Sequence, residues 1–330
     1  MWRDKPGRSR TAGRRRLLLV LSLSLLPACA AVFREAKVAY VELMAEYSPN
    51  DVSIEIQRSF IARLMNRVTM DVDFAVRHAD IVPHPAFMDG DLHFAGHSPQ
   101  VGLPVVGEII NAAHEKQAMD LVHEAKRTGD PLALSSAWRI WPEHAGDIDE
   151  KQGNESHSAT STNPDHVFEI HPVTTIAGIS LLDSFHPVEG YLPGAPAVVV
   201  PSLEHVHCRL TARRGVVVVT TQKGLYNDLN FIMEVTGDRQ EVVADGRFVR
   251  ASLLDTDGTV LGHDRRMVFV RDTALERAVR GLGRGARLRV YGLPRVDLSE
   301  VYRRVQESGR QPSLLDESLP YEVVILGIFR

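Results

Sequence analysis

Val68-Thr69-Met70-Asp71-Val72-Asp73-Phe74-Ala75-Val76 sets apolar side chains against polar or small ones at every second place, the period of a strand with one buried and one wet face. Just upstream the period differs. Pro49-Asn50-Asp51 offers a helix start, and Ile56, Phe60, Ile61, Leu64 and Met65 follow at helical spacing up to Asn66. Downstream, Met88-Asp89-Gly90-Asp91 reads as a turn into a short strand over 92–95, and 101–110 as a third strand. Ala118, Leu121, Val122 and Ala125 then form the buried stripe of a helix stopped by Thr128-Gly129-Asp130-Pro131. Residues 132–141 and 167–176 supply two more strands.

The same order recurs. Strands are expected over 229–235, 247–254 and 260–270, with Asp255-Thr256-Asp257-Gly258 as a hairpin turn. Thr273 and Glu276 make a capping box for a helix carrying Leu275, Ala278, Val279 and Leu282, which Gly281, Gly283 and Gly285 terminate. Strands over 287–291 and 321–329 follow, with a short helix over 298–305 between them.

Three strands, a helix and two strands, met twice, resemble in element order the OB-fold, a five-stranded Greek-key barrel with a helix between strands three and four. The resemblance covers about residues 66–176 and 226–329. It implies a mainly β protein with some helix (α+β). Two tandem OB-fold-like barrels follow an N-terminal signal and helix: residues 31–177 with the helix, 178–225 as a connection with extra strands over 198–200 and 216–221, and 226–330. The polar stretch 146–164 falls between strands four and five of the first barrel, where an OB-fold often borders its ligand. Its composition is that of a surface insertion.

Residues 1–30 differ in kind. Arg3, Lys5, Arg8, Arg10 and Arg14 to Arg16 precede an apolar run over 17–26, and small residues follow at Ala28, Ala30 and Ala31, the order of a secretory signal peptide. A bilayer span needs about 20 apolar residues, so this run predicts cleavage rather than a membrane helix. The expected location is periplasmic or extracellular. Leu26-Pro27-Ala28-Cys29 resembles a lipobox, which would make the protein a lipoprotein touching the membrane only through Cys29. Arg14-Arg15-Arg16-Leu17-Leu18 resembles a twin-arginine signal. With Cys29 and Cys208 the only cysteines, an exported fold has to stand without disulfides.

Charge is uneven. Lys and Arg exceed Asp and Glu by six over residues 1–30, trail by thirteen over 31–200 and exceed by three over 201–330. Eleven of the fourteen histidines fall in the acidic section. That contrast argues for two domains and against nucleic acid as an electrostatic partner of the first.

Three segments gather the side chains with chemistry: Asp89-Gly90-Asp91-Leu92-His93, Trp138-Arg139-Ile140-Trp141-Pro142-Glu143-His144 and Asp165-His166-Val167-Phe168-Glu169-Ile170-His171. Residues two apart on a strand share a face, so Asp91 can join His93, and Glu169 can join His171. Asp89, Asp91, His93, His144, His166, Glu169 and His171 are thus candidate ligands for zinc or manganese, beside the plainer reading of solvated or backbone-bonded side chains. Asp89 and Asp91 before a strand are faintly similar to the calcium-binding acids of staphylococcal-nuclease-like OB-folds, whose phosphate-steadying arginine has no counterpart in 101–111, where Glu108 stands instead. Trp138 and Trp141, three apart on a strand, face opposite sides; with Arg139 one of them is a candidate for stacking a base or sugar, beside the plainer reading that both pack in the core. Cys208 beside His205 and His207 reads as a buried thiol rather than a nucleophile.

No glycine-rich phosphate loop, nucleophile elbow or cysteine zinc motif occurs. The expectation is an exported, non-catalytic binding or scaffold protein whose partner is an envelope component or another protein. The alternatives are a metal-dependent hydrolase with Glu143 or Glu169 as base, and cell-envelope carbohydrate binding through the tryptophans.

Overall fold

A computed structural model describes residues 42–146, 150–153, 160–307 and 315–329. The expected signal, Cys29 and much of the 146–164 stretch lie outside the described residues. The chain opens with a hairpin of Leu43–Tyr47 (β1) and Asp51–Gln57 (β2), then helix Arg58–Leu64 (α1). This corrects the helix start expected at Pro49. Pro49 and Asn50 sit in the hairpin turn, where the Asp51 amide donates to Ser48 Oγ at 3.2 Å, and Val52, Ile54 and Ile56 bury alternate positions as a strand does.

The first barrel comprises Thr69–Ala79 (β3), Leu92–His97 (β4), Val105–Ile109 (β5), helix Lys116–Thr128 (α2), Leu132–Ile140 (β6) and Phe168–Ile176 (β8). Glu150–Gln152 (β7) lies in the loop between β6 and β8, and Ile179–Ser180 (β9) follows β8 and pairs with its end. The strands pair in the order β5-β4-β3-β6-β8, and a parallel β5–β8 contact closes the ring. Gly129, at φ 79°, ends α2 in the left-handed conformation that costs glycine least.

The second half runs through helix Pro196–Glu204 (α3), His207–Arg213 (β10), Val216–Gln222 (β11), Leu229–Val235 (β12), Glu241–Val243 (β13), Gly246–Leu254 (β14), Val260–Val270 (β15), helix Ala274–Val279 (α4), Arg287–Val296 (β16), helix Leu298–Glu307 (α5), Leu315–Ser318 (β17) and Tyr321–Ile328 (β18). Its barrel order is β12-β16-β18-β15-β14, closed by β12–β14, with β15 parallel to β18. Both halves are therefore closed five-stranded barrels with the helix between strands three and four and the one parallel pair between strands three and five, which is the OB-fold. Residues 198–200, expected as a strand, lie in α3: Pro196 opens the helix, and Val199 and Val200 face the core.

A third sheet joins the halves, in the order β17-β10-β11-β2-β1-β7. Each half contributes a hairpin (β1–β2 or β10–β11), and the loop between strands four and five of its own barrel adds an edge strand (β7 or β17). The hairpins meet antiparallel at β2–β11. Exchanging the halves maps this order onto itself.

The barrels are joined by the same exchange. On β6, Arg139 lies opposite Glu169 of β8, and on β16, Arg295 lies opposite Glu322 of β18. Each guanidinium meets its glutamate at 2.6 Å. Arg139 Nε then donates to Pro294 O at 3.0 Å, and Arg295 Nη1 donates to Trp138 O at 2.9 Å, each carbonyl belonging to the residue just before the opposite arginine. Arg295 also lies over the Trp138 ring, 3.6 Å from its centroid. Arg266 adds a second guanidinium to Glu322, at 2.5 Å, and donates to Met65 O. A single apolar core runs through both barrels and the joining sheet. Among the described residues no helix is long and apolar enough to cross a membrane.

Burial opposes ionisation of Glu322, but Arg266 and Arg295 outweigh it and hold the carboxyl below its ordinary value. Glu322→Gln leaves two buried guanidiniums undercompensated, so urea unfolding should show a loss of about 3–5 kcal/mol. A depressed native pKa gives stability that is complete above the unfolded value of 4.5 and lost as pH falls through the native one. The gap between wild type and E322Q should therefore be constant near neutrality and close in acid. A gap independent of pH would contradict this assignment.

Candidate metal centre

Three strands of the first barrel and the turn before β4 bring acids and imidazoles together where that barrel meets the second. Asp91 lies at the start of β4, Glu108 on β5 and His171 on β8, all buried. One possible ligand atom from each lies within 4.8 Å of the other two. His171 Nδ1 is 3.1 Å from Glu108 Oε2 and 3.5 Å from Glu169 Oε2, and Nε2 is 3.5 Å from Asp91 Oδ2. Both nitrogens thus face carboxylates at ion-pair distance, though off the ideal hydrogen-bond direction.

The cluster lies beside a cavity of about 20 Å³. Tyr291, Leu293 and Leu326 of the second barrel form its apolar wall, and Tyr191, Asn227 and Asp228 of the connection line another side. Such a space admits about one water or ion and no organic substrate. Tyr191 donates its hydroxyl to Asp228, and Asn227 Oδ1 is buried without a hydrogen bond. Another hollow, about 350 Å³, lies elsewhere on the first barrel and is lined by Asp71, Asp73 and Ser135 among others, with no histidine in its lining.

The electrostatics are tightly coupled. Burial raises Asp91 to about 6, with His171 only partly offsetting it. Burial would raise Glu108 too, but His171 and His93 bring it down to about 2. Burial would lower His171 and His93, yet Glu108 and its neighbours raise them to about 10 and about 9. Asp91, Glu108 and Glu169 face one permanent cation, Arg139, so two further positive charges are required. Without an ion, they are the protons on His171 and His93.

The other expected residues fall into place around this centre. Asp89 accepts from the Asp91 amide and pairs with His84 Nδ1, both at 3.0 Å. His93 Nε2 is 3.2 Å from Glu108. Glu169 is bound on both oxygens, by Arg139 at 2.6 Å and by His166 Nε2 at 3.0 Å, and these partners hold it well below the usual carboxylate range despite burial. His166 is held further by Pro164 O and stacks with His144 at 5.2 Å, while His144 and Arg139 both approach Glu143. His144, His166 and Glu143 thus form a neighbouring chain rather than joining the cluster.

Trp138 and Trp141 are both buried, their indole N–H groups donating to Arg67 O and Tyr226 O, and Arg139 is buried between the barrels. The expected stacking surface is therefore not formed. Cys208 is buried on β10. Glu108, Asp80 and His84 join the candidate ligands only through the fold. The signal for Glu108 was a lone carboxylate in an otherwise apolar strand.

No protein-family model matches the sequence, and no curated protein is similar to it. Among solved structures, the chain is similar to the single-stranded DNA-binding protein from Thermus aquaticus. A deletion mutant of that protein is 12% identical, with 87% of this chain and 95% of that one covered and a TM-score of 0.21. The wild-type form is 13% identical, covering 79% and 90%, also with a TM-score of 0.21. The fold assignment rests on the strand order above.

With both indoles buried, the tryptophan emission of a chain lacking residues 1–30 should resist both iodide and soluble glycans while folded. Quenching should rise only on unfolding in guanidinium. Strong quenching by a glycan in the folded state would restore the stacking reading.

Proposed function

We propose that this chain is an exported, non-catalytic binding protein that holds one divalent ion, zinc or manganese, on Asp91, Glu108 and His171 at the junction of its two barrels. The observation that carries this reading is His171: buried, with three carboxylates converging on its two nitrogens at 3.1–3.5 Å, none of them well aligned for a hydrogen bond. Whichever nitrogen takes an ion, the other keeps a carboxylate to orient it, as metal-bound histidines require. An ion of charge +2 would also replace the two imidazolium protons that the cluster otherwise needs.

The sister barrel supports the reading. Aligning the halves on the Arg139–Glu169 and Arg295–Glu322 pairs, and carrying the register through β5–β8 and β15–β18, sets His171 against Val324 and Glu108 against Val268. The next ladder sets His93 against Phe248 and Asp91 against Gly246. The fold is thus content with an apolar core at these four places, and the polar set is peculiar to the first barrel. The small cavity and the locked Glu169 speak against the hydrolase alternative. Export rests on residues 1–31 alone.

Metal analysis by inductively coupled plasma mass spectrometry, on protein purified without a histidine tag, should find zinc or manganese on the wild-type chain and one ion fewer on H171A. Ion at a hundred times its dissociation constant should stabilise the fold by about 2.7 kcal/mol. Protein that stays metal-free after incubation with both ions would overturn the reading. A companion variant, D91G/H93F/E108V/H171V, installs the sister barrel's residues at all four places. In chelator it should be as stable as wild type or more so, because apolar replacement of a buried ionic set is often neutral or stabilising. It should also gain nothing from added ion. A large loss of stability would instead make the cluster a structural ion-pair network.

A further inference from the structure

The segment between β3 and β4 carries a second cluster. Asp80 follows the last residue of β3, His84 lies in the loop and His93 on β4; one possible ligand atom from each lies within 4.8 Å of the others. We propose that these three residues form a second divalent-cation site, open to solvent and joined to the inner centre through the His93 ring. It extends the reading of the inner centre but is separable from it.

The loop is tied at its neck whether or not an ion is present. Asp80 N donates to His93 O at 2.9 Å and His84 N to Asp91 O at 2.8 Å, and the His93 amide donates to Asp80 Oδ2 at 3.2 Å. The ligand set is thus held by backbone bonds rather than assembled by the ion. His84 Nδ1 is anchored on Asp89 at 3.0 Å, which directs Nε2 toward Asp80 Oδ2 at 3.5 Å. That spacing is long for a hydrogen bond and suits two ligands around one ion. The His84 and His93 rings meet edge to face at 4.3 Å. Two imidazoles and one carboxylate are a donor set that zinc accepts, with the remaining position left to water. The side chains of His84, Asp80 and His93 are 26%, 21% and 12% exposed, so an ion reaches them without opening the fold. His93 Nε2, 3.2 Å from Glu108, connects this site to the inner one.

Zinc is the probe, added to the chelator-stripped full-length chain, with bound metal counted after desalting and by calorimetric titration. Two ions per chain are expected in wild type. One should remain in H84A and in D80N, where the inner ligands are intact, and one in H171A, where the outer ligands are. Thermal melts in chelator that match wild type would show that H84A, altered on a half-exposed loop, remains folded. One ion per chain in wild type, unchanged by H84A and D80N, would overturn the outer site and leave the inner reading standing. No ion at all would overturn both.

Discussion

The reciprocal arginine clamp is the constraint on which the rest of the molecule depends. Arg139 and Arg295 are each neutralised by a glutamate on the adjacent strand of their own barrel, and each then reaches a carbonyl of the other barrel. Neither side chain has access to water, so each needs all of these partners to remain charged. The demand fixes the relative position of β6 and β16. It thereby fixes what stands across from the acids and imidazoles of β4, β5 and β8. Tyr291 and Leu293 share β16 with Arg295, so the apolar wall of the small cavity is set by the same strand that sets the clamp.

That placement explains the chemistry of the candidate centre. Carboxylates in water repel one another weakly and keep their ordinary pKa values. Walled off by the second barrel, Asp91, Glu108 and Glu169 depend on the few cations within reach. Arg139 is committed to Glu169 and to the clamp. What remains for Asp91 and Glu108 is imidazolium or a bound ion, and His171 stands between them.

Much of the architecture was legible in the sequence, because a strand with one wet face writes its period into the chain, as 68–76 and 229–235 do. The joining sheet was not. β1 is five residues long, and the apolar positions of β2 run straight into those of α1, so a strand followed by a helix reads as one helix starting at Pro49. The valines of α3 favour strands, yet packing against the second barrel and Pro196 at the first turn prevail. In the centre, Asp91 with His93 and Glu169 with His171 were visible as pairs two apart. Glu108 was not, since its partners lie on strands far away in sequence. Nor was the partner of the buried Trp141 indole, a carbonyl of Tyr226, 85 residues onward.

The exchange that maps the joining sheet and the clamp onto themselves has a further meaning. A contact whose two sides are equivalent is isologous, the kind by which identical subunits pair. One half alone, keeping its hairpin, barrel and edge strand, would present a face complementary to its own twin. Covalent connection replaces the concentration dependence of such pairing with a fixed local concentration. It also releases the two copies of the face from having to stay alike. In a pair of identical chains, a histidine at position 171 would appear on both sides of the axis; in one chain, it can stand on one side while valine stands on the other.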